Sequence, residues 1–371
     1  MEDGTALHVA GNVNVFYLTG RFYRGYVWLP KEGDPVYFIV KPHEFEELDS
    51  QIYIRKPEQI PSELEKRGIS AADLKVGLEE DVLSYSDTRR LMAAFGAREY
   101  FNGTGIIRSA RMVKTPYELD RMRFDGKKQA EVYGSIGSLY RPGMTDVQLQ
   151  IAIERELRLH GALGYTRVSG NLMDINMGSV LAGDNADCPS PYEFAMGGEG
   201  TDPSLPGGAN GTVIEPGMTV MVDMSGAFNA YQTDMTRVWW LGELPESAYK
   251  AHRCSIEILD TLTEEALPGR EVCELYFRAV EIAEKAGLAD YFMGHRQKSG
   301  FIGHGVGLEL NEMPPIAPRC KVPLKSGMTI ALEPKFVIPG VGAVGVENTY
   351  IVRPEGLENI TRSSEEIHPL G

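Results

Sequence analysis

The sequence lacks features that would place it in several large classes of protein. Its four cysteines are far apart and none belongs to a C-x-x-C pair: Cys188, Cys254, Cys273 and Cys320. Neither a zinc knuckle nor a disulfide framework is therefore indicated. No apolar run approaches the length of a membrane span, and the opening residues MEDGTALHVAG contain no basic stretch followed by an apolar one. We expect a protein of the reducing cytoplasm that makes no contact with a membrane.

Positive charge is scarce as well. The chain has 37 lysines and arginines against 52 aspartates and glutamates, a formal net charge of −15 at pH 7. Such a chain repels nucleic acid and anionic membrane surfaces, so a polyanionic partner is not expected. The sequence also contains no G-x-S-x-G elbow, no G-x-x-x-x-G-K-[ST] phosphate loop and no H-E-x-x-H motif, and the glycines at 303, 305 and 307 do not have the spacing of a dinucleotide-binding loop. Serine hydrolases, P-loop proteins and Rossmann proteins therefore lose their main support.

Length and composition favour two globular domains. With 371 residues the chain is long for one hydrophobic core, and its 43% apolar and 24% charged residues are typical of globular proteins. Short apolar runs between 6 and 40, separated by glycine and proline, predict strands, and one of them is NVFYLTG at 14–20. Charged helices are predicted at 61–67 and 85–95. The amino-terminal part thus predicts a small α/β domain, with a boundary near 109–115.

Helix signals dominate the start of the second part. The segment TPYE at 115–118 is a capping box with proline at the first helical position, and its helix is predicted to end near 139. TDVQ at 145–148 repeats the signature and predicts a helix that ends near 161. Further helices are predicted after Pro245 and Gly269. Residues 164–212 are rich in Gly, Asp, Asn and Pro, which is typical of a functional or mobile segment and equally of an exposed irregular connection.

Two acidic residues lie in a predicted β-hairpin. The stretch MVDMSGAFNAYQTDMTR at 221–237 has apolar flanks and turn-forming residues in its middle. It holds Asp223 and Asp234, eleven positions apart, and a hairpin can bring two such carboxylates side by side. Two acids in an apolar sheet repel each other and are poorly solvated unless a cation or a proton compensates them. A metal ion is the simplest compensation.

Three more candidate ligands follow later in the chain. His304 stands in GHGVG, where the glycines let the backbone approach a site closely. Glu333 follows in IALEP and Glu347 in VGVEN, and both interrupt apolar segments that predict strands. One such residue alone says little, since a lone Asp in a turn is usually only a turn residue. The order and context of the five together predict a site.

Four carboxylates and one imidazole predict a metal centre. The carboxylates carry about four negative charges, which two divalent ions would neutralise. Oxygen-rich ligation with one nitrogen suits Mn, Fe, Co or Zn better than a thiolate-type site does. Two ions about 3.5–4 Å apart can share bridging carboxylates, activate a water and polarise a carbonyl. Hydrolysis is the predicted chemistry.

These five residues resemble the ligands of the metallopeptidase family that includes methionine aminopeptidase, aminopeptidase P, prolidase and creatinase. In that family the first two ligands are eleven apart, the His stands in Gly-His-Gly and the first Glu precedes Pro. NVFYLTG also resembles a segment of the amino-terminal domain of prolidases and creatinases, where a helix usually precedes the first strand; we expect that helix to be truncated or dispensable here. The resemblance implies an α+β fold, with a small α/β creatinase-type domain at 1–110 and a pita-bread catalytic domain at 111–371.

The resemblance implies a dinuclear metal-dependent hydrolase, similar to Xaa-Pro dipeptidases and aminopeptidases, that cleaves a peptide bond next to proline. Asp223 would chelate one ion, His304 and Glu333 would bind the other, and Asp234 and Glu347 would bridge them. Glu333 would also move the proton, so Glu333 and His304 are the catalytic candidates. We expect manganese, with Co, Zn or Fe as alternatives, a small peptide or other small molecule as the substrate, and a homodimer.

Four positions depart from the proline-specific members of the family. Where those members carry three histidines and one arginine, this chain has Ser190, Gly300, Asn311 and Gly345. Such histidines donate hydrogen bonds to a substrate carbonyl or carboxylate and to a developing oxyanion, and neither serine nor asparagine can carry a positive charge. With every ligand kept and four helper residues changed, the sequence predicts altered substrate recognition or a less efficient peptidase.

Five side chains are candidates for contact with the substrate: Ser190, Tyr192, His295, Asn311 and Arg167. For His295 the alternative is a surface or packing histidine. Arg237, which closely follows the second hairpin acid, is predicted to form a structural ion pair. Glu312 is predicted to contact the metal ligands and hold them in position.

Two other functions remain open. A creatinase-like enzyme that acts on a small non-peptide molecule is favoured by the four replaced helper residues, although the intact ligand set disfavours the metal-free creatinase mechanism. A non-catalytic binding protein on the same fold is the third possibility. Relatives of that kind generally lose ligands, and here none is lost.

Overall fold

The chain forms two compact units. The computed structural model describes residues 2, 4–43, 50–170 and 175–371, and it divides into Met1–Arg111 and Met112–Gly371. The division lies one residue from the boundary predicted between 110 and 111. Within the described ranges no helix is both long and apolar enough to cross a membrane.

The amino-terminal unit contains, in chain order, β1 (Thr5–Val9), α1 (Asn12–Thr19), β2 (Arg24–Pro30), β3 (Val36–Lys41), β4 (Gln51–Tyr53), α2 (Ile60–Glu65), β5 (Lys75–Leu78), α3 (Tyr85–Phe95), β6 (Glu99–Asn102) and α4 (Thr104–Met112). The strands form one mixed sheet in the order β4-β3-β2-β1-β5-β6. Its core includes Trp28, Phe38, Leu78 and Leu91, all buried.

The segment NVFYLTG, predicted as a strand, instead forms most of helix α1. Gly11 is the N-cap, and Gly20 ends the helix in the left-handed conformation, with φ of 69° and its N–H donating to Phe16 O at 2.7 Å. Glycine adopts this conformation at little cost. A short apolar run fits a buried helix as well as a strand, so periodicity could not separate the two. Strands β1, β2 and β3 and helices α2 and α3 confirm the other predictions for this unit.

The second unit contains, in chain order, α5 (Pro116–Tyr133), α6 (Ile136–Leu139), α7 (Asp146–Leu159), β7 (Gly178–Ala182), β8 (Thr219–Gly226), β9 (Thr233–Trp240), α8 (Glu246–Glu265), α9 (Val272–Lys285), β10 (Gly303–Gly305), β11 (Thr329–Leu332), β12 (Lys335–Ile338), β13 (Gly342–Gly345), β14 (Asn348–Arg353), β15 (Gly356–Asn359) and β16 (His368–Pro369). Both predicted capping boxes are present, at the starts of α5 and α7. Helix α5, however, ends at Tyr133 rather than near 139. Gly134 and Ser135 are poor helix formers, and they turn the chain into α6.

Strands β8 and β9 form the predicted hairpin. They pair antiparallel, with Asp223 opposite Thr236 and Ser225 opposite Asp234, and β7 and β16 extend the sheet to the order β16-β9-β8-β7. Strand β7 lies inside the region 164–212, where no element was predicted. A second sheet has the order β10-β11-β14-β15, and β12 pairs with β13 alone.

Hydrogen bonds join the hairpin to the second sheet at the level of the acids. Thr236 N–H donates to Glu347 O at 3.4 Å and Glu347 N–H donates to Thr236 O at 3.2 Å. Asp234 N–H donates to Thr349 Oγ1 at 2.8 Å. Helices α5 and α7 pack with strands β7 to β9 in one buried cluster, and α8 and α9 pack with β11 to β14 in another. The acids of both sheets are thereby brought to one place.

His8 on β1 is fully buried between aromatic rings. The centroids of Tyr26 and Phe95 each lie 4.9 Å from its ring, and no described residue forms a hydrogen bond with either ring nitrogen. Burial lowers the pKa of His8 to about 3. The imidazole is therefore neutral in the folded protein at ordinary pH.

We predict that His8→Phe makes the protein less sensitive to acid. Between the folded pKa of about 3 and the usual 6.5, the unfolded chain binds a proton at His8 that the folded chain does not bind, so the free energy of unfolding falls as the pH falls. At about pH 5 this loss is roughly 2 kcal/mol relative to about pH 8, and phenylalanine removes it. Urea unfolding of both proteins at both pH values measures the difference; the same pH dependence in both proteins would contradict the prediction.

Candidate metal centre

The two hairpin acids lie on adjacent strands and face the same largely buried space. The side chain of Asp223 is 23% exposed and that of Asp234 is 8% exposed. Asp234 Oδ1 accepts the N–H of Met235 at 3.1 Å. Behind the acids the Tyr133 hydroxyl accepts Met224 N–H at 3.0 Å and donates to Met235 O at 2.5 Å, so a side chain of α5 ties the two strands together.

The three later ligands lie in, or directly next to, strands of the second sheet. His304 is the central residue of β10, Glu333 directly follows β11, and Glu347 directly precedes β14. Glu333 thus lies in the short break between β11 and β12, and Glu347 in the break between β13 and β14, which agrees with the prediction that both acids interrupt strands. The structure brings all five predicted ligands into one cluster.

Asp234, His304 and Glu347 form one group whose ligand atoms all lie within 4.8 Å of one another. His304 Nε2 lies 3.6 Å from Asp234 Oδ2 and 3.7 Å from Glu333 Oε1, which is too far for hydrogen bonds. The other ring nitrogen, Nδ1, lies 3.1 Å from Gly305 O. A proton on Nδ1 donated to that carbonyl leaves the Nε2 lone pair directed at the acids, as in metal-binding histidines.

A divalent ion fits this first group. Glu347 is buried; its Oε2 accepts the Thr236 hydroxyl at 2.7 Å, but its Oε1 has no hydrogen-bond partner among the described residues. A buried carboxylate oxygen without a partner is unfavourable. An ion held by Asp234, His304 and Glu347 would supply the missing partner.

A lysine occupies the second group, which consists of Asp223, Glu333 and Glu347. Their ligand atoms also lie within 4.8 Å of one another, as expected around a second ion. The Lys335 ammonium, however, lies among them, with Nζ 2.7 Å from Asp223 Oδ2, 2.7 Å from Glu333 Oε2 and 3.0 Å from Glu347 Oε2. These contacts use all three donors of an ammonium. The second group already holds a cation, and a further ion does not fit beside it.

The backbone around Lys335 makes room for its side chain. Lys335 pairs with Gly345 on β13, and it is 0% exposed. A Cβ at Gly345 would lie 2.9 Å from Lys335 Cα and 3.3 Å from Lys335 Cγ, and Gly345 has a φ of 141° that other residues rarely adopt. Position 345, where the sequence departs from the family, thus has no side chain that would crowd Lys335.

The site carries excess negative charge even with this ammonium. Burial raises the pKa of Asp234 well above its usual value, and Asp223 and Glu333 raise it further. Burial likewise raises the pKa of Glu347, with Asp234 the next cause. Burial alone would lower the pKa of Lys335, but Asp223, Glu333 and Glu347 outweigh it and raise that pKa well above its usual value. The cluster therefore favours further positive charge, as protons or as a metal ion.

Lys335 is the site residue that sequence reasoning missed. Side chains at positions i and i+2 of an extended chain share a face, so Lys335 lies on the side of Glu333 in the segment EPKFVI at 333–338. A lysine two positions after a predicted ligand, in an otherwise apolar strand, was the available signal.

Two of the substrate-binding candidates make structural contacts. Ser190 Oγ donates to Pro206 O at 2.6 Å and accepts Tyr192 N–H at 3.2 Å. Asn311 Oδ1 accepts Ser169 N–H at 2.6 Å, and its Nδ2 donates to Ser169 O at 2.9 Å. These contacts hold loops in place, and a role in substrate binding stays a prediction.

A cavity of about 350 Å³ includes two of the replaced helper positions. Phe301, one of its lining residues, places its ring edge-on to His304, with 6.3 Å between centroids. The size suits a small molecule. The lining residues include Ser190, Tyr192, Phe194, Gly300 and Phe301.

Neither His295 nor Arg167 lines this cavity. His295 Nδ1 lies 2.9 Å from Asp187 Oδ2, and its side chain is 39% exposed, which agrees with the alternative of a surface histidine. The Arg167 guanidinium lies 5.1 Å from the centroid of the Tyr165 ring and donates to Leu308 O at 3.4 Å.

Arg237 does not form the predicted ion pair among the described residues. Its Nη1 donates to the carbonyls of Thr236 and Glu347, each at 2.8 Å, and its Nη2 donates to Asn348 Oδ1 at 2.8 Å. The buried guanidinium instead satisfies carbonyl groups and fixes the main chain on both sides of the link between the sheets.

Glu312 stabilises the loop that carries His304. Its N–H donates to Gly305 O at 2.7 Å, and its Oε1 accepts Glu309 N–H at 3.1 Å. Its Oε2 lies 3.1 Å from Lys114 Nζ, and the two side chains of this pair are only 5% and 1% exposed. Lys114 therefore forms a buried ion pair with this carboxylate.

Two family models match the chain. Residues 3–113 match the Creatinase/Prolidase N-terminal domain, and residues 120–354 match Metallopeptidase family M24. The second match includes all five predicted ligands and Lys335.

Known proteins are similar over nearly the whole chain. The Xaa-Pro dipeptidase of Pyrococcus furiosus is 27% identical over 368 residues, which is 97% of this chain and 94% of that protein. The solved X-Pro aminopeptidase of Thermotoga maritima has a TM-score of 0.80 at 20% identity, covering 98% of this chain and 97% of the other. The prolidase of Pyrococcus horikoshii gives 0.78 at 21%, covering 98% and 95%. The predicted fold, a creatinase-type domain followed by a pita-bread domain, is confirmed.

We predict that Lys114→Met lowers the free energy of unfolding by about 3 kcal/mol, because it removes the ammonium from an ion pair that is almost fully buried. Urea unfolding measures the loss. The control is Arg253→Met, which removes an ion pair with Glu246 whose side chains are 62% and 77% exposed and should cost less than about 1 kcal/mol. Equal losses in the two variants would show that burial does not strengthen the pair.

Proposed function

Since the chain belongs to metallopeptidase family M24, we propose that it is a metal-dependent peptidase that cleaves the peptide bond next to proline. One structural observation carries the proposal: the ligand atoms of Asp234, His304 and Glu347 converge, and Glu347 Oε1 lacks a partner. The similarity to Xaa-Pro dipeptidases along nearly the whole chain supports the choice of bond.

The residues around this group suit hydrolysis of an amide. A divalent ion held by Asp234, His304 and Glu347 would activate a water and polarise the scissile carbonyl. Glu333 Oε2 accepts a hydrogen bond from Lys335 at 2.7 Å, while Oε1 lies 3.7 Å from His304 Nε2. A carboxylate fixed through one oxygen can take a proton from the nucleophile on the other oxygen and pass it to the leaving nitrogen. We assign this role to Glu333.

Several finer points stay predictions. Manganese is the proposed ion, with Co, Zn or Fe as alternatives, because carboxylate-rich ligation with one imidazole suits these metals. The resemblance implies two ions, whereas Lys335 stands at the place of the second. A homodimer and a cytoplasmic location are likewise proposed from the family and from the composition of the chain.

A second function is favoured by the replaced helper positions. Ser190 and Asn311 are engaged with main-chain groups, and Gly300 puts no side chain into the cavity where the family pattern has a histidine. Binding of a peptide carboxylate by charged side chains is therefore weaker here than in the proline-specific members of the family. A creatinase-like hydrolase of a small non-peptide molecule is the alternative.

We predict that the Mn-reconstituted protein hydrolyses Xaa-Pro dipeptides or longer Xaa-Pro peptides, and that Asp234→Ala abolishes metal binding and turnover together, because Asp234 belongs to the ion-holding group. Proline release and the bound metal are measured on the same samples. Asp202→Ala is the control, since Asp202 is an exposed acid whose side chain accepts hydrogen bonds from Ser204.

These peptide assays distinguish the two proposed functions. A fully active Asp234→Ala protein would refute the metal centre. A metal-loaded wild type that cleaves none of the peptides would refute the Xaa-Pro peptidase and favour the non-peptide substrate.

We predict that Gly300→Phe raises KM for the substrate by about tenfold or more with a smaller effect on kcat, since it fills the cavity and removes binding that is made equally in the ground and transition states. A Cβ at Gly300 meets no atom within 4 Å, so the backbone leaves room for a side chain to start at this position. Gly134→Phe, where a Cβ makes only ordinary contacts at 3.5 Å and 3.8 Å, is the control. An unchanged KM in Gly300→Phe would exclude the cavity as the substrate site.

A further inference from the structure

We infer that the Lys335 ammonium is a built-in cation at the second metal position, so that each chain binds one divalent ion rather than two. The inference rests on the proposed function only in assigning an ion to Asp234, His304 and Glu347. It makes the centre a pair of one exchangeable metal ion and one covalently attached ammonium.

The contacts of Lys335 are those of a bound cation. Its three donors each reach a different carboxylate, at 2.7, 2.7 and 3.0 Å. The three acceptors, Asp223, Glu333 and Glu347, are the same residues that form the second group of potential ligands. Oxygens that converge on one nitrogen cannot also converge on a metal ion, because the two cations would occupy the same position and would repel each other.

The ammonium is fixed in that place. The side chain of Lys335 is 0% exposed, its N–H lies 3.4 Å from Met293 Sδ, and its carbonyl accepts Met293 N–H at 2.8 Å. Moving Nζ away from the acids would leave an ammonium buried without a partner, which is strongly unfavourable. Gly345 opposite Lys335 leaves the side chain the room it needs.

With one ion the cluster keeps a small negative charge. Four carboxylates carry four negative charges; the ammonium and one divalent ion carry three positive charges, which leaves a single negative charge. A second divalent ion would reverse the sign and add repulsion between two cations on shared oxygens. Glu347 serves both positions, because Oε2 accepts from Lys335 and Oε1 is the oxygen without a partner.

The test is the number of metal ions per chain. Wild-type protein is saturated with Mn²⁺, freed of excess ion by gel filtration, and analysed by inductively coupled plasma mass spectrometry and electron paramagnetic resonance. We expect one manganese per chain and the resolved hyperfine pattern of an isolated Mn²⁺. Two ions per chain with a spin-coupled spectrum, or none, would overturn the inference.

Two variants at the same position separate the ammonium from the rest of the site. Lys335→Gly opens the place of Nζ, so the ratio should rise from one ion to two and the spectrum should become that of a coupled pair. Lys335→Arg keeps a cation among the three acids and should stay at one ion. A folded Lys335→Gly protein that still binds one ion would overturn the inference. If neither variant folds, the wild-type count decides alone.

Metal content and activity distinguish this inference from the proposed function. Two ions together with Xaa-Pro cleavage would refute the inference and leave the function standing. One ion without any Xaa-Pro cleavage would refute the function and leave the inference standing.

Discussion

The structure of the catalytic unit depends on four carboxylates placed in one mostly buried space. Each of them alone would be destabilising there, and together they repel one another. Lys335 contacts three of them with its three donors. The fourth, Asp234, lies 3.6 Å from His304 Nε2, and Glu347 Oε1 has no partner among the described residues. The residues that fold around this cluster therefore serve to hold acids close together against their repulsion until a cation joins them.

The two sheets hold the acids close together. The hairpin fixes Asp223 and Asp234 through its register, and Tyr133 ties its two strands from behind. The paired hydrogen bonds between Thr236 and Glu347 join the hairpin to the second sheet at the site itself. Arg237 satisfies the carbonyls beside this junction, so its charge serves the backbone rather than the acids.

Much of this was predictable from the sequence because it depends on local rules. Capping boxes predicted the starts of α5 and α7, and turn residues between apolar strands predicted the hairpin. The cluster of five ligands, which are far apart in the chain, was predicted from their order and from the resemblance to the metallopeptidase family. The predictions that were wrong concern features that depend on tertiary contacts. A short apolar run gives no period by which α1 could be told from a strand, the end of α5 is set by two weak helix formers, and the partner of Arg237 is a set of carbonyls that no pattern encodes. Lys335 was missed because a lysine in a strand is ordinarily a surface residue, and its burial is decided by acids that lie far from it in the chain.

An ammonium and a divalent ion are not equivalent cations, and the difference bears on the chemistry. An ammonium offers three directional donors and a fixed charge, but it has no vacant coordination position for water and does not leave when a chelator is added. At this site it holds Glu333 Oε2, so any proton that Glu333 carries must use Oε1, which is the oxygen beside His304. In the proposed one-ion centre, the exchangeable ion would polarise the carbonyl and the lysine would leave Glu333 the role of proton transfer. Activation of the substrate and neutralisation of the acids, which two ions would share, would then be divided between a metal and a side chain.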